Sequence, residues 1–333
     1  MTTAPRAEVF QSQEMTDALA FSQAADVSFQ RLAARLADTG QRRLLFGRQL
    51  NQARFERIRS AAARYIIACV RPGSSTLSEP ALLAELVAQK SSLPNLTPGG
   101  LLLPKREQLL EFNLLHKALS EMFAELRIED LAETIHLPVN VRVVDGNVDA
   151  QRDNRPYATS KFHTDVWAGE PMDAVAILLP LFGDVDNITV EFGEMPPARE
   201  REFMRLLDDY GIGQELLGDI YEGWRLALGS INFFDARLLH RTVRKQPGVR
   251  VSVDFRFRLK TEGIIRDFIE RMTARDRLPN YVPFETWLGV GTTSLMMFDE
   301  TMEEARARHR IAVSSSKHPS AYRLVNLLSG EQA

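Results

Sequence analysis

Apolar positions recur at three- and four-residue steps through much of the first 130 residues, the pattern of helices that bury one face. It is carried by SFQRLAARLAD (28–38), by RRLLFGRQLNQARFERIRSAAARYIIACV (42–70) and by KREQLLEFNLLHKALSEMFAEL (105–126). In the last of these, Leu110, Leu114, Leu115, Leu119, Met122 and Leu126 form the predicted buried stripe. Pro72-Gly73 and Pro98-Gly99-Gly100 punctuate the helices.

The period then changes to two. In HLPVNVRVVDGN (136–147), Leu137, Val139, Val141 and Val143 alternate with His136, Pro138, Asn140 and Arg142, which predicts a half-buried strand closed by Asp145-Gly146. Further strands are expected in YATSKFHTD (157–165), DAVAILLPLF (173–182), NITVEF (187–192), WRLALGSINFF (224–234) and GVRVSVDFRFRL (248–259), with a helical insertion at about 197–221. Helical spacing returns in EGIIRDFIERMTARDR (262–277) and DETMEEARARHRI (299–311).

Strands clustered between helical flanks, without regular strand–helix alternation, predict an α+β protein with an antiparallel sandwich or barrel at its centre. The expected organisation is a flexible N-terminus (1–27), a helical region packing on the core (28–130), an all-β core (131–260) and a C-terminal helical or lid region (261–333).

The chain has 333 residues, enough to bury a substantial core, with 44% hydrophobic and 26% charged residues, values ordinary for a globular protein. A net charge of -3 provides no global attraction for nucleic acid or anionic membrane. One cysteine, Cys69, excludes an intrachain disulfide. The first residues lack a basic region followed by an apolar run, and no apolar stretch is long enough to span a bilayer, so the expected localisation is cytoplasmic. The segment 42–71 carries eight arginines against one glutamate and is expected to be a solvated helix face rather than a phosphate-binding surface.

Candidate chemistry starts in SKFHTDVWAGEP (160–171), where His163 and Asp165 are two residues apart. On a strand such residues share a face, and an imidazole and a carboxylate can grip one metal ion. His240 supplies a third donor, after an apolar strand and a short turn. Two histidines and one carboxylate leave one face of an octahedral ion open, which suits non-haem Fe(II), whereas zinc favours a tetrahedral set. Arg250, ten positions beyond His240, shares a strand face with Ser252, Asp254 and Arg256. An arginine fork with a hydroxyl two residues on can anchor a carboxylate, such as the far end of 2-oxoglutarate.

The order His-x-Asp, distant His, then Arg-x-Ser about ten residues later resembles the Fe(II)/2-oxoglutarate-dependent oxygenases built on the double-stranded β-helix, a cupin-like jelly roll. The resemblance covers roughly 135–260. LALGSINFFDARLLHRTVRKQPGVRVSVDFRF (226–257) is similar in texture to the phytanoyl-CoA dioxygenase-like branch, and FHTDVWAGEP, more loosely, to oxygenases of carbohydrate and aminoglycoside biosynthesis. It implies His163, Asp165 and His240 as iron ligands, Arg250 and Ser252 as the cosubstrate anchor, and dioxygen as the second cosubstrate. Asp165 disfavours the halogenase variant, which vacates that position. Hydroxylation of a small-molecule metabolite, or a related desaturation or ring closure, with succinate and CO2 as coproducts, is the expected reaction.

Around these positions, Asn140 or Arg142 is the expected early-strand contact to the cosubstrate, against the alternative of a solvated strand face. Trp167 is a candidate for the substrate wall or simple packing, and Arg256 for substrate contact or a salt bridge. His116, His136, His309 and His318 read as structural or solvated. Two rival functions are a nucleic-acid demethylase of the same superfamily, suggested by the Arg250-x5-Arg256 spacing but disfavoured by net charge, and a non-catalytic metal-binding jelly roll. Pairing of the arginine-bearing helices into a homodimer is a further expectation.

Overall fold

The computed structural model describes residues 12–97, 99–147, 155–261, 264–273, 280–298 and 322–327. Its centre is an antiparallel sheet. The longest strand, β10 (Val249–Leu259), lies between β6 (Ala174–Gly183) and a side shared by β4 (Ala132–His136) and β5 (Asn140–Asp145). β6 continues to β8 (Ser230–Asp235), which pairs with β2 (Leu45–Gln49) and through it with β1 (Gly40–Gln41). Short strands β3 (Leu101–Leu102) and β11 (Tyr281–Pro283) finish the edge regions on β5 and β4. A separate antiparallel pair joins β7 (Ile188–Gly193) to β9 (Leu239–Arg244).

The pleat sorts side chains into two layers. Val175, Ile177 and Leu179 of β6, with Val251, Val253, Phe255 and Phe257 of β10, pack on α2 (Gln52–Val70) and α4 (Leu109–Leu126). On the other face Ala176, Leu178 and Phe234 meet Val190 and Phe192 of the β7–β9 pair. β6 is therefore buried on both sides, which explains its nearly unbroken apolar run. In α2, Phe55, Ile58, Ala62, Tyr65, Ile66 and Cys69 recur at helical spacing, and the Asn51 side chain caps the first turn by accepting from the Ala53 N–H. Around the core lie α1 (Ser12–Leu36), α3 (Glu79–Gln89), α5 (Pro197–Glu202), α6 (Ile264–Met272) and α7 (Phe284–Leu288), and an antiparallel pair of β12 (Ser294–Phe298) with β13 (Tyr322–Asn326).

Several sequence expectations are corrected. The stretch 42–70 is not one helix: Leu45–Gln49 is a strand paired to β8, and the helix starts after Asn51. In α4 Leu110 and Leu114 face outward, at 67% and 39% exposure, because the buried stripe is centred on Phe112, Leu115, Leu119 and Phe123. The alternating run at 136–147 is two strands rather than one, split around Pro138, whose ring nitrogen cannot donate to a ladder. The insertion at 197–221 is helical only at α5 and a 3-10 turn, Gly211–Gln214; its glycines and aspartates favour turns elsewhere. Residues 12–27, expected to be flexible, belong to α1. The helix expected at 299–311, His309 and His318 lie outside the described residues.

The arginines of 42–71 are largely spent on neighbours. Arg54 pairs with Glu121 and Glu125, Arg59 with Glu79, Arg71 with Glu85, and Arg48 donates to the Leu36 carbonyl. No helix among the described residues is long and apolar enough to cross a membrane.

Candidate metal centre

The stretch 157–165 is not the strand its alternation suggests. His163 forms an isolated antiparallel bridge in which its N–H donates to the His240 carbonyl (3.1 Å) and the His240 N–H donates back (2.8 Å), and the Thr159 carbonyl accepts from the Thr242 N–H (2.7 Å). Immediately afterwards Asp165 opens a 3-10 turn, Asp165–Ala168, capped by Thr164 and closed by Gly169 at φ 89°. His163 and Asp165 thus converge because the backbone turns between them, not because a pleat aligns them. Gly213 brings the 194–229 connection against this segment: a Cβ there would lie 1.8 Å from the Phe162 carbonyl oxygen, so no larger residue fits without displacing the chain.

His163, Asp165 and His240 each offer a ligand atom within 4.8 Å of the others. The imidazoles are aimed by their own backbone: Nδ1 of His163 donates to the Lys161 carbonyl (2.9 Å) and Nδ1 of His240 to the Leu238 carbonyl (3.0 Å). Both protons are thereby placed on Nδ1 and the lone pairs on Nε2, the tautomer a metal ligand needs. Nε2 of His240 lies 3.9 Å from Asp165 Oδ1. Burial lowers the His240 pKa, only partly opposed by Asp165, which keeps the ring neutral. For Asp165 burial opposes ionisation, but the charge and hydrogen bonds of the Arg256 guanidinium outweigh it and hold the carboxyl well below the usual carboxylate range. Arg256 grips both carboxylate oxygens, at 2.8 and 2.7 Å, and each oxygen retains lone-pair capacity for an ion. Two neutral imidazoles and one ionised carboxylate fit a divalent cation.

The centre lies on a cavity of about 90 Å³ that is also lined by Arg250, Arg142, Thr159, Thr242 and Tyr210. Arg250 is 1% exposed; one nitrogen donates to the Ile188 carbonyl (2.8 Å), while its Nε has no hydrogen-bond partner. Burial, together with the neighbouring Arg142, pushes its pKa down to about 9. Two positions on, the fully buried Ser252 hydroxyl is also without a hydrogen-bond partner. Buried donors left this way are costly, and a carboxylate in the cavity would pair with Arg250 and relieve its charge.

The other positions singled out in the sequence are already engaged. Asp254 accepts from Asn140 (2.9 Å) and from Arg142 (2.6 and 3.3 Å), so both groups expected near the cosubstrate hold a carboxylate of the chain itself. Arg256 lines the cavity but is paired with Asp165 rather than Asp254. Trp167 is 1% exposed and donates from its indole N–H to the Phe203 carbonyl (3.0 Å). Tyr210, which the sequence did not single out, stacks on His163 (4.5 Å between centroids, 6° between planes) and also packs against Trp167 (6.2 Å between centroids). Its only signal was an aromatic in a segment read as helix. Glu170, another cavity residue not anticipated, accepts from the Tyr281 hydroxyl (2.9 Å).

No protein-family model matches the chain, and no curated protein matches it. Among solved structures it is similar to AviO1 from Streptomyces viridochromogenes Tue57, at 15% identity over 71% of this chain and 94% of that one, with a TM-score of 0.36. It is similar also to SnoN, a non-heme alpha ketoglutarate dependent epimerase from nogalamycin biosynthesis, at 12% identity over 71% and 83% of the two chains (TM-score 0.32). A third is an N-substituted L-amino acid dioxygenase from Burkholderia ambifaria AMMD, at 13% identity over 71% and 91% (TM-score 0.33).

Proposed function

We propose that the chain is an Fe(II)- and 2-oxoglutarate-dependent oxygenase of a small molecule, built on a double-stranded β-helix in which residues 131–260 form the catalytic core. One observation carries the reading: three ligand atoms converge within 4.8 Å on a cavity whose wall holds a buried guanidinium with an unpartnered Nε, two positions along β10 from a fully buried, unpartnered hydroxyl. The jelly-roll assignment is supported by the small β7–β9 pair facing the large sheet across Ala176, Leu178, Val190 and Phe234.

His163, Asp165 and His240 would hold the iron, which when bound supplies dioxygen activation coupled to conversion of 2-oxoglutarate into succinate and CO2. Arg250 and Ser252 orient the cosubstrate by its far carboxylate. Arg256 keeps Asp165 ionised and fixed in direction. Arg142 holds Asp254 beside the anchor, where that carboxylate partly offsets the positive charges of Arg142 and Arg250. Tyr210, Thr159 and Thr242 form the wall against which a substrate C–H is positioned, and Trp167 packs against Tyr210. Hydroxylation is the expected outcome.

Anaerobic addition of Fe(II) and 2-oxoglutarate tests this. The expected result is a weak visible charge-transfer band, followed by succinate on admission of oxygen. Absence of the band, with metal still bound, would leave a metal-binding jelly roll. Salt-sensitive binding of single-stranded DNA would move the substrate from a small molecule to nucleic acid.

A further inference from the structure

The turn between β8 and β9 serves two of the three candidate ligands at once. The Ala236 carbonyl accepts the N–H groups of Asp165 (3.0 Å) and Val166 (3.4 Å), while the Leu238 carbonyl accepts Nδ1–H of His240 (3.0 Å). The spacing between Asp165 and His240 therefore follows the conformation of residues 235–238.

That conformation is set by Arg237, whose side chain is 1% exposed. Its guanidinium forks onto Asp235 (2.8 and 2.8 Å) and also donates to Glu200 (3.0 Å) on α5 and to Ser22 (3.2 Å) and Asp26 (2.8 Å) on α1. Arg43 bridges the same acids from another side, contacting Asp26 (3.0 Å), Glu200 and Glu194 (2.7 Å). Arg237 does not line the cavity. A buried fork this fully satisfied is unnecessary for solubility, and its members come from elements more than 200 positions apart in the chain.

The structure assigns Arg237 the role of a positioning residue: by locking the 235–238 turn to α1 and α5 it fixes where Asp165 stands relative to His240. The inference rests on the metal-centre reading above but has a separate readout. α1, which contributes no side chain to the cavity lining, becomes part of the metal site's support.

The test uses the full-length apoprotein with Arg237→Lys, which keeps the charge and loses the fork. Two quantities are measured: Co(II) affinity with its visible d–d spectrum, and amide hydrogen exchange in peptides covering 162–170. Partners that orient ligands typically change metal affinity by about 10- to 100-fold, so a loss in that range, an altered spectrum and faster exchange at Asp165 and Val166 are expected. Leu86→Ala, a core truncation on α3, is the control: at a temperature where it is folded, it should keep wild-type affinity and exchange, because general loss of stability does not move the turn. If Arg237→Lys fails to fold, Asp26→Asn at the partly exposed end of the network gives the same readouts with smaller amplitude. Wild-type affinity and exchange in the folded variant overturn the proposal. If the unaltered protein binds no Co(II), the metal reading fails, and the exchange measurement alone decides whether Arg237 positions the Asp165 segment.

Discussion

Arg256 and Asp165 are joined by two parallel hydrogen bonds of 2.8 and 2.7 Å, with the Asp165 side chain 5% exposed. The same carboxylate is thus a candidate metal ligand and one half of a buried ion pair. Arg256→Lys substitutes a compact ammonium that cannot reproduce the fork. Calorimetric titration with Co(II) or Ni(II) should show affinity reduced by about 10- to 100-fold in a folded protein. Unchanged affinity would mean that Asp165 is oriented by its backbone alone.

His163→Ala and His240→Ala should each abolish iron-dependent conversion of 2-oxoglutarate to succinate, since each leaves a two-donor site. Both rings have a backbone carbonyl as their Nδ1 partner, so each variant loses one hydrogen bond to the main chain and should remain folded. Succinate formation at wild-type rate in either variant would contradict the assignment.

Arg250 offers a prediction of opposite signs. Its charge is buried and only partly compensated, so at neutral pH it opposes folding of the apoprotein until an anion arrives. Arg250→Met should therefore melt at a temperature equal to or above wild type without ligand, the gain being offset in part by the lost bond to the Ile188 carbonyl. Excess 2-oxoglutarate should raise the wild-type melting temperature and leave the variant's unchanged, and the variant's apparent KM for 2-oxoglutarate should rise. A ligand-induced shift preserved in the variant would move the anchor elsewhere on the cavity wall.

His116 provides a pH prediction independent of the metal centre. It is fully buried against Trp287 (4.4 Å between centroids), and burial pushes its pKa from 6.5 down to about 3. The unfolded chain takes up a proton at this site below 6.5, whereas the folded chain does not until near 3. Stability therefore falls as pH drops through that window, by at most about 1.4 kcal/mol per unit from this residue. Urea denaturation at pH 7 and pH 5 should show His116→Leu losing about 1–2 kcal/mol less than wild type over that interval. Equal losses would show that the histidine is protonated in the folded state.

Much of the sheet was legible because β6, β7 and β10 carry period-two or uniformly apolar runs longer than competing signals. β2 was hidden inside an arginine-rich run whose spacing also fits a helix, and only Asn51, read as a cap, would have separated the two. The donor triad could be read because histidine is rare in this chain, six of 333 residues, and the donors stand in a fixed order. The reason His163 and Asp165 meet could not be read: the 3-10 turn at Asp165 depends on the Ala236 carbonyl, 71 positions away. Tyr210 was invisible for a similar cause, since its stacking on His163 depends on Gly213 lying against Phe162. Arg142 and Asn140 share a polar strand face, but their partner Asp254 lies opposite Asn140 and diagonal to Arg142 across the β5–β10 ladder, a pairing set by register.

β10 packs Val251, Val253, Phe255 and Phe257 toward the helices while Arg250, Ser252, Asp254 and Arg256 occupy the reverse side. Deleting or inserting a single codon within it would swap hydrocarbon for charge along the whole strand. Diversification of this protein is thereby steered away from length changes here and toward replacement of individual letters, with new chemistry entering through the connections that frame the cavity mouth.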